Sequence, residues 1–265
     1  MKLMRALLGF IVLAAVLNVS AAESGLRLEQ APARRLDVES LQRGARNFVN
    51  YCLNCHSAQY MRYNRLTDFA IGEQEIRDNL MFATDKFGST MTVAMPKADA
   101  VAWFGTAPPD LSVEARIRGK DWLYSYLLGF YWDEKTVTGW NNLVFNNVSM
   151  PHVLWKLSGV QRLVETEYED EGKAEAAVVA AKGLALAERI NDHKYVVKTL
   201  TQEAPGTMRP VEYETFVADL VNYLDYIGEP VRNERIKIGI GVLIYLGILL
   251  GFAYLLKRAY WKDIH

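Results

Sequence analysis

Two cysteines three positions apart with a histidine directly after them, Cys52-Leu53-Asn54-Cys55-His56, are the residues of this chain whose types and spacing most plainly carry chemistry. Each thiol can add to a vinyl group of a porphyrin to form a thioether, and the imidazole on the next position can then swing onto the iron. The spacing therefore reads as covalent c-type haem attachment. The chain has 2 Cys in all, so one haem consumes both. A structural zinc site would need four ligands, yet no further Cys exists and His152, His193 and His265 are scattered. A thiol redox pair would expect a strand before the first Cys, whereas the residues ahead of Cys52 have helical periodicity.

The iron's other axial position decides what such a haem does. A Met or His there gives a closed electron carrier, and Met raises the reduction potential, while an open position would admit ligands. Met61, Met81, Met91, Met95, Met150 and Met208 are the candidates once the N-terminal segment is set aside. Met61 is too near His56 in sequence to reach the opposite haem face. Met95 and Met150 each precede a Pro that stiffens the loop presenting the sulfur, and Met150 is preferred because its loop is dense in aromatics. His152 is a weaker alternative. His56 needs its second ring nitrogen held, for which the carbonyl of Pro108 or Pro109 is suited. Arg116 and Arg118 could pair with haem propionates or be ordinary surface charges. Trp122 and Tyr126 read as core.

The elements that must position these groups follow from the pattern. Asp37 can cap a helix with apolar residues at Leu41, Ala45, Phe48, Val49 and Cys52, whose last turn delivers the attachment motif. Residues 23–35 read as an extended lead-in without structure. From Met61 to Pro109 loops dominate, with a helical piece near Glu73 to Phe82. Asp110 and Ser112 can cap a helix carrying Trp122, Tyr124, Tyr126, Leu127 and Leu128 and ending near Gly129. The acidic run Val164 to Glu171 and the Ala-rich stretch Ala174 to Ile190, of high helix propensity, form a local insertion over 164–190. Val211 to Ile227 has a strong helical stripe that Gly228 and Pro230 terminate.

Both ends carry targeting signals. Lys2 and Arg5 precede an apolar run from Ala6 to Leu17 and the small residues Ser20, Ala21 and Ala22, which read as an export signal cleaved after Ala22. Ile238 to Leu256 has no charged side chain and spans about 28 Å as a helix, the thickness of a bilayer core. Basic residues flank it on both sides, so the export signal sets the orientation. The expected organisation is a signal over 1–22, a periplasmic haem domain over 23–231, a transmembrane helix over 236–257 and a cytoplasmic tail over 258–265, at the bacterial inner membrane. A formal net charge of -1 with no basic block argues against nucleic acid as a partner.

The chain resembles cytochrome c1, the haem subunit of the quinol:cytochrome c oxidoreductase, or cytochrome bc1 complex, of bacterial type. The resemblance rests on the attachment motif near the mature N-terminus, on Pro108-Pro109-Asp110-Leu111-Ser112 followed by Arg116 and Arg118, on Met150-Pro151, and on the single C-terminal membrane helix. It implies a mostly α, cytochrome c-like haem domain with insertions plus one transmembrane helix, and one covalently bound haem c. It also matches Met150 to the family's axial Met, Arg118 to its propionate-binding Arg and Arg116 less securely. The implied partners are cytochrome b, a Rieske iron–sulfur protein as donor and a soluble cytochrome c or equivalent acceptor, within a dimeric complex. The chain would then be an electron-carrying subunit rather than a free-standing enzyme. A stand-alone membrane-anchored cytochrome feeding a terminal oxidase is the other reading, and a haem-free thiol-redox protein a third.

Overall fold

Asp37 opens the first helix as the sequence anticipates, its carboxylate accepting the Ser40 N–H at 3.1 Å. The computed structural model describes residues 25–32, 36–191 and 193–262, so the expected export signal over 1–22 and the last three residues of the expected tail lie outside the described residues. In chain order the elements are β1 (Gly25–Arg27), α1 (Val38–Tyr51), β2 (Ala58–Arg62), a 3-10 turn (Tyr63–Phe69), α2 (Glu73–Asn79), β3 (Thr90–Met91), α3 (Lys97–Phe104), α4 (Glu114–Arg118) and α5 (Lys120–Leu128). There follow β4 (Phe130–Trp132), β5 (Trp140–Asn142), α6 (Trp155–Ser158), β6 (Gly159–Tyr168), α7 (Glu171–Ala180), β7 (Ala185–Asn191), β8 (Lys194–Pro205), α8 (Pro210–Gly228) and α9 (Arg232–Trp261).

The core forms where α1 crosses α8. Leu41, Ala45, Phe48 and Val49 on one side, and Val217, Leu220, Val221, Tyr223 and Leu224 on the other, are buried together. Gly44 makes the crossing close, because a Cβ there would lie 2.7 Å from Tyr223 Cβ and closer still to the Asp219 carbonyl oxygen. A buried polar lock spans the same contact. Asp219 accepts from Ser40 Oγ at 2.6 Å and from Arg43 Nε at 2.6 Å and Nη2 at 3.2 Å, while Asn222 Nδ2 donates to Ser40 Oγ at 3.0 Å. These bonds satisfy a carboxylate that would otherwise be buried at large cost.

Asp110 and Ser112 do not cap the next helix. Asp110 instead accepts the N–H groups of Ser112 and Gln59, each at 2.9 Å, and Ser112 Oγ accepts the Tyr60 N–H at 3.0 Å. Both side chains are spent strapping their loop to β2, and α4 begins at Glu114 after Val113, which offers no side-chain cap. Gly119, at φ +86°, breaks the expected single helix into α4 and α5.

The insertion is a small α/β unit rather than a helix. Ala-rich sequence is helical only to Ala180; Gly183, at φ +94°, turns the chain, and Ala185–Asn191 becomes β7. Four antiparallel strands run in the order β1-β7-β8-β6, with α7 packed on them through Ala174, Val178, Ala185, Tyr195 and Val197. Most of the acidic run lies on β6, where Glu165 and Glu167 face Lys198 and Lys194 across the ladder at 3.8 and 2.8 Å. The lead-in is not structureless either, since Gly25–Arg27 pairs with β7 from Gly25 opposite Ala187. Arg27 Nη1 also donates to the carbonyls of Val179 and Ala181 at the end of α7, at 2.9 and 3.0 Å.

Beyond Pro230 the chain becomes α9, 30 residues containing the whole expected 236–257 stretch, and none of its apolar window is buried against the rest of the protein. By length and composition this helix can cross a bilayer.

Candidate haem site

The end of α1 shapes the attachment motif. Cys52 closes the helix through its N–H to the Phe48 carbonyl at 2.9 Å, and the Cys52 carbonyl then accepts from Cys55 N at 3.0 Å and His56 N at 2.8 Å. This tight turn sends Leu53 into the core and Asn54 to solvent, while Cys52, Cys55 and His56 all line one cleft. Burial, with Cys55 adding to it, pushes the Cys52 thiol up to about 12, and burial raises Cys55 as well. Burial thus keeps both thiols protonated rather than activated as the low-pKa thiolates of a reactive dithiol.

His56 is held by one firm contact. Its Nδ1 lies 2.8 Å from the Pro109 carbonyl, which can only accept, so Nδ1 carries the proton and Nε2 keeps its lone pair. Burial pulls the imidazole below its usual range, against the opposing pull of that carbonyl, and the ring is neutral as a metal ligand must be. Pro109 is fixed in turn by the strap described above and by the Leu111 N–H donating to the Ser57 carbonyl at 2.8 Å.

Met150 lines the same cleft, which has a volume of about 360 Å³. The Tyr126 hydroxyl donates to its sulfur at 3.4 Å. Tyr126 itself stacks on Trp122 at 5.1 Å and meets Phe130 edge-on at 5.2 Å. Leu220 and Leu224 of α8 and Leu127 of α5 complete an apolar wall. Two neutral thiols, a histidine with a fixed tautomer, a thioether and apolar walls suit an amphiphilic planar group such as haem.

The two arginines part company. Arg118 lines the cleft, its guanidinium 4.7 Å from the Trp122 ring and 5.9 Å from that of Phe145, with Glu114 Oε2 3.7 Å from Nε. Arg116 does not line it; its side chain lies against Gly228 at the end of α8. Two residues along a helix turn a side chain by roughly 200°, so the pair could not share one cleft. Neither Met95 nor His152 lines the cleft. His152 is buried, with Nε2 2.8 Å from Ser158 Oγ, and burial drives its imidazole down to about 3. Trp122 and Tyr126 prove to be cleft walls as well as core. The signal for them was present, since Trp122 and Tyr126 stand four apart on α5 and so share a helical face.

A helical domain whose cleft gathers a c-type attachment motif and a methionine, tethered by one apolar C-terminal helix, defines a membrane-anchored c-type cytochrome. The sequence model of the Cytochrome C1 family matches residues 29–264, and the chain belongs to that family. It is 45% identical to cytochrome c1 of Allochromatium vinosum over 247 residues, covering 92% of this chain and 93% of the relative. It is also 25% identical to cytochrome c1 of Rhodospirillum rubrum over 249 residues, covering 87% and 84%. A protein of Nitrosomonas europaea named ammonia monooxygenase gamma subunit is 45% identical over 265 residues, the full length of both chains. The protein is thus an electron-transfer subunit with one covalently bound haem c, anchored in a membrane, and cytochrome c1 membership implies the bc1 complex.

Proposed function

We propose that Cys52 and Cys55 carry the haem as thioethers, that His56 and Met150 are its axial ligands, and that Arg118 neutralises a propionate at the lip of the cleft. The observation that carries this reading is the 2.8 Å contact from His56 Nδ1 to the Pro109 carbonyl, which leaves Nε2 as the ligating atom in a cleft shared with Met150. Bound haem supplies a one-electron Fe(III)/Fe(II) couple. The residues set its terms: the Met150 thioether and the apolar walls favour the reduced state, and Pro109 keeps the imidazole from rotating. Arg116 takes no part in holding the propionates, because it lies on the other side of α4, against Gly228.

In this reading the haem domain is periplasmic, with residues 258–265 in the cytoplasm at the inner membrane. Cytochrome b covers α9 within a dimeric complex, a Rieske protein donates electrons and a soluble cytochrome c or equivalent accepts them. The name of the Nitrosomonas relative suggests a different assembly, a monooxygenase. With His56 and Met150 lining one cleft, a haem bound there would find both ligands it needs to work as an electron carrier, which favours that reading.

The test is purification of the detergent-extracted chain from its native membrane. Haem staining should survive denaturation, and cytochrome b and a Rieske protein should co-purify; a stable complex with monooxygenase subunits alone would sink the assignment. Met150→Leu should abolish the Met-to-ferric-iron charge-transfer band and lower the potential, and an unchanged spectrum would refute Met150 as ligand.

A further inference from the structure

The short helix α6 and the start of β6 follow directly on the loop that carries Met150, and Ser158 and Gln161 are tied back to that loop and to its support. His152 lies face to face on Phe130, with centroids 4.7 Å apart and planes 4° from parallel, and edge-on to Trp140 at 5.0 Å. The His152 Nε2 and the Ser158 Oγ are hydrogen-bonded at 2.8 Å, and the same hydroxyl donates to the Gly159 carbonyl at 2.9 Å or turns to the imidazole. Two residues into β6, Gln161 Nε2 donates to the carbonyls of Leu128 and Phe130 at 3.0 and 3.1 Å. Val160 of β6 and Met150 itself pack on the same small cluster of Phe130, Trp140 and Val148.

The loop between β5 and α6 is irregular, and its two ends are held differently. Asn142 secures the start, its Oδ1 accepting the N–H groups of Val144 and Phe145 at 2.9 and 3.2 Å. The far end, just after Met150-Pro151, is secured by His152. We propose that the junction of α6 and β6, from Ser158 to Gln161, serves as the clamp that keeps Met150 on the haem iron, with His152 as the positioning residue that ties the loop to it. This rests on Met150 being the axial ligand. A thioether is a weak ligand, so whether it stays bound depends on how little freedom its loop has when it lets go. Removing the His152–Ser158 bond frees the loop's C-terminal anchor, and a hydrogen bond of ordinary strength shifts such an equilibrium by about tenfold.

The experiment uses the full-length, haem-loaded chain in detergent, with imidazole as the competing ligand. His152→Phe keeps a ring between Phe130 and Trp140 but removes one partner of the bond; Ser158→Ala removes the other. Both should bind imidazole about tenfold more tightly than wild type, with a weaker Met-to-iron band, a lower potential and unchanged haem content. His152→Gln, which can return an N–H to the Nε2 position, should recover part of the band. Glu165→Gln, at an exposed position further along β6, should change nothing. If His152→Phe fails to accumulate, Ser158→Ala and Gln161→Ala decide. Haem-loaded variants with wild-type band, potential and imidazole affinity would overturn the clamp. Met150→Leu separates the two levels: if it keeps the band, the ligand assignment is wrong; if it loses the band while the His152 and Ser158 variants match wild type, only the clamp is wrong.

Discussion

Gly44→Ala should destabilise the haem domain, although in an ordinary helix the same change stabilises by about 1 kcal/mol. The new methyl would sit 2.7 Å from Tyr223 Cβ and nearer still to the Asp219 carbonyl oxygen, both fixed by the α8 backbone, so no rotamer change relieves it. Contact at a normal distance requires α8 to retreat from α1 by roughly 1 Å, and overpacking of this kind costs about 1–3 kcal/mol. The same retreat stretches the bonds from Ser40 and Arg43 to Asp219, now 2.6 Å each, and hydrogen bonds to a charged group contribute about 1.5–3 kcal/mol. Set against the propensity gain, the net loss is about 3 kcal/mol. Urea unfolding of the detergent-solubilised, haem-loaded chain, followed by far-ultraviolet circular dichroism, should show a midpoint lower by about 1–2 M at unchanged slope. Gly72→Ala is the control, since a Cβ there meets only the Glu75 carboxylate, at 3.6 Å. A Gly44→Ala midpoint equal to or above wild type would refute the close-crossing argument.

Asp110→Ala leaves the Gln59 and Ser112 N–H groups without their acceptor, so it should lower the urea midpoint by about 1 M and broaden the haem spectrum as the Pro109 carbonyl loosens. The Asp133 carboxyl is held below its usual range by the Asn141 amide first and, against burial, by the Lys135 N–H. Its contribution is therefore complete above the ordinary carboxylate pKa and lost as pH falls through the lower folded value; acid titration of Trp132 and Trp140 fluorescence should show this step, and Asp133→Asn should remove it. A chain ending at Val231 should give a water-soluble haem protein with the spectrum of the full-length chain, because no α9 residue is buried in the domain; aggregation or haem loss would show that α9 supports the fold.

What could be read from the sequence was whatever depends on near neighbours. Asp37 caps α1 because a cap needs only the residue three positions on, and the Cys52–His56 turn closes on its own backbone. The insertion escaped because strand identity belongs to pairs. Ala185 to Asn191 has helix-forming composition, and only its partners make it a strand, Tyr195 to Thr199 across the hairpin on one side and Gly25 to Arg27, brought in from far along the chain, on the other. The same distinction runs through the site. A Pro-Pro loop could be named as the histidine's partner because rigidity is a local property, but choosing Arg118 over Arg116 required knowing which face of α4 meets the cleft, and Arg116 is turned towards Gly228 by α8 packing.

That division has a mechanical consequence. The attachment motif can form wherever α1 forms, but His56 and Met150 sit on segments almost a hundred residues apart, each supported by a different piece of non-local structure. The strap around Asp110 serves the histidine, and the cluster of Phe130, Trp140 and Val148 serves the methionine. Damage to the strap should therefore disturb the histidine side and leave the Met-to-iron band in place, whereas damage to the cluster should remove that band while the haem stays covalently attached. Loss of both signatures together in Asp110→Ala would mean that the two supports are one cooperative unit.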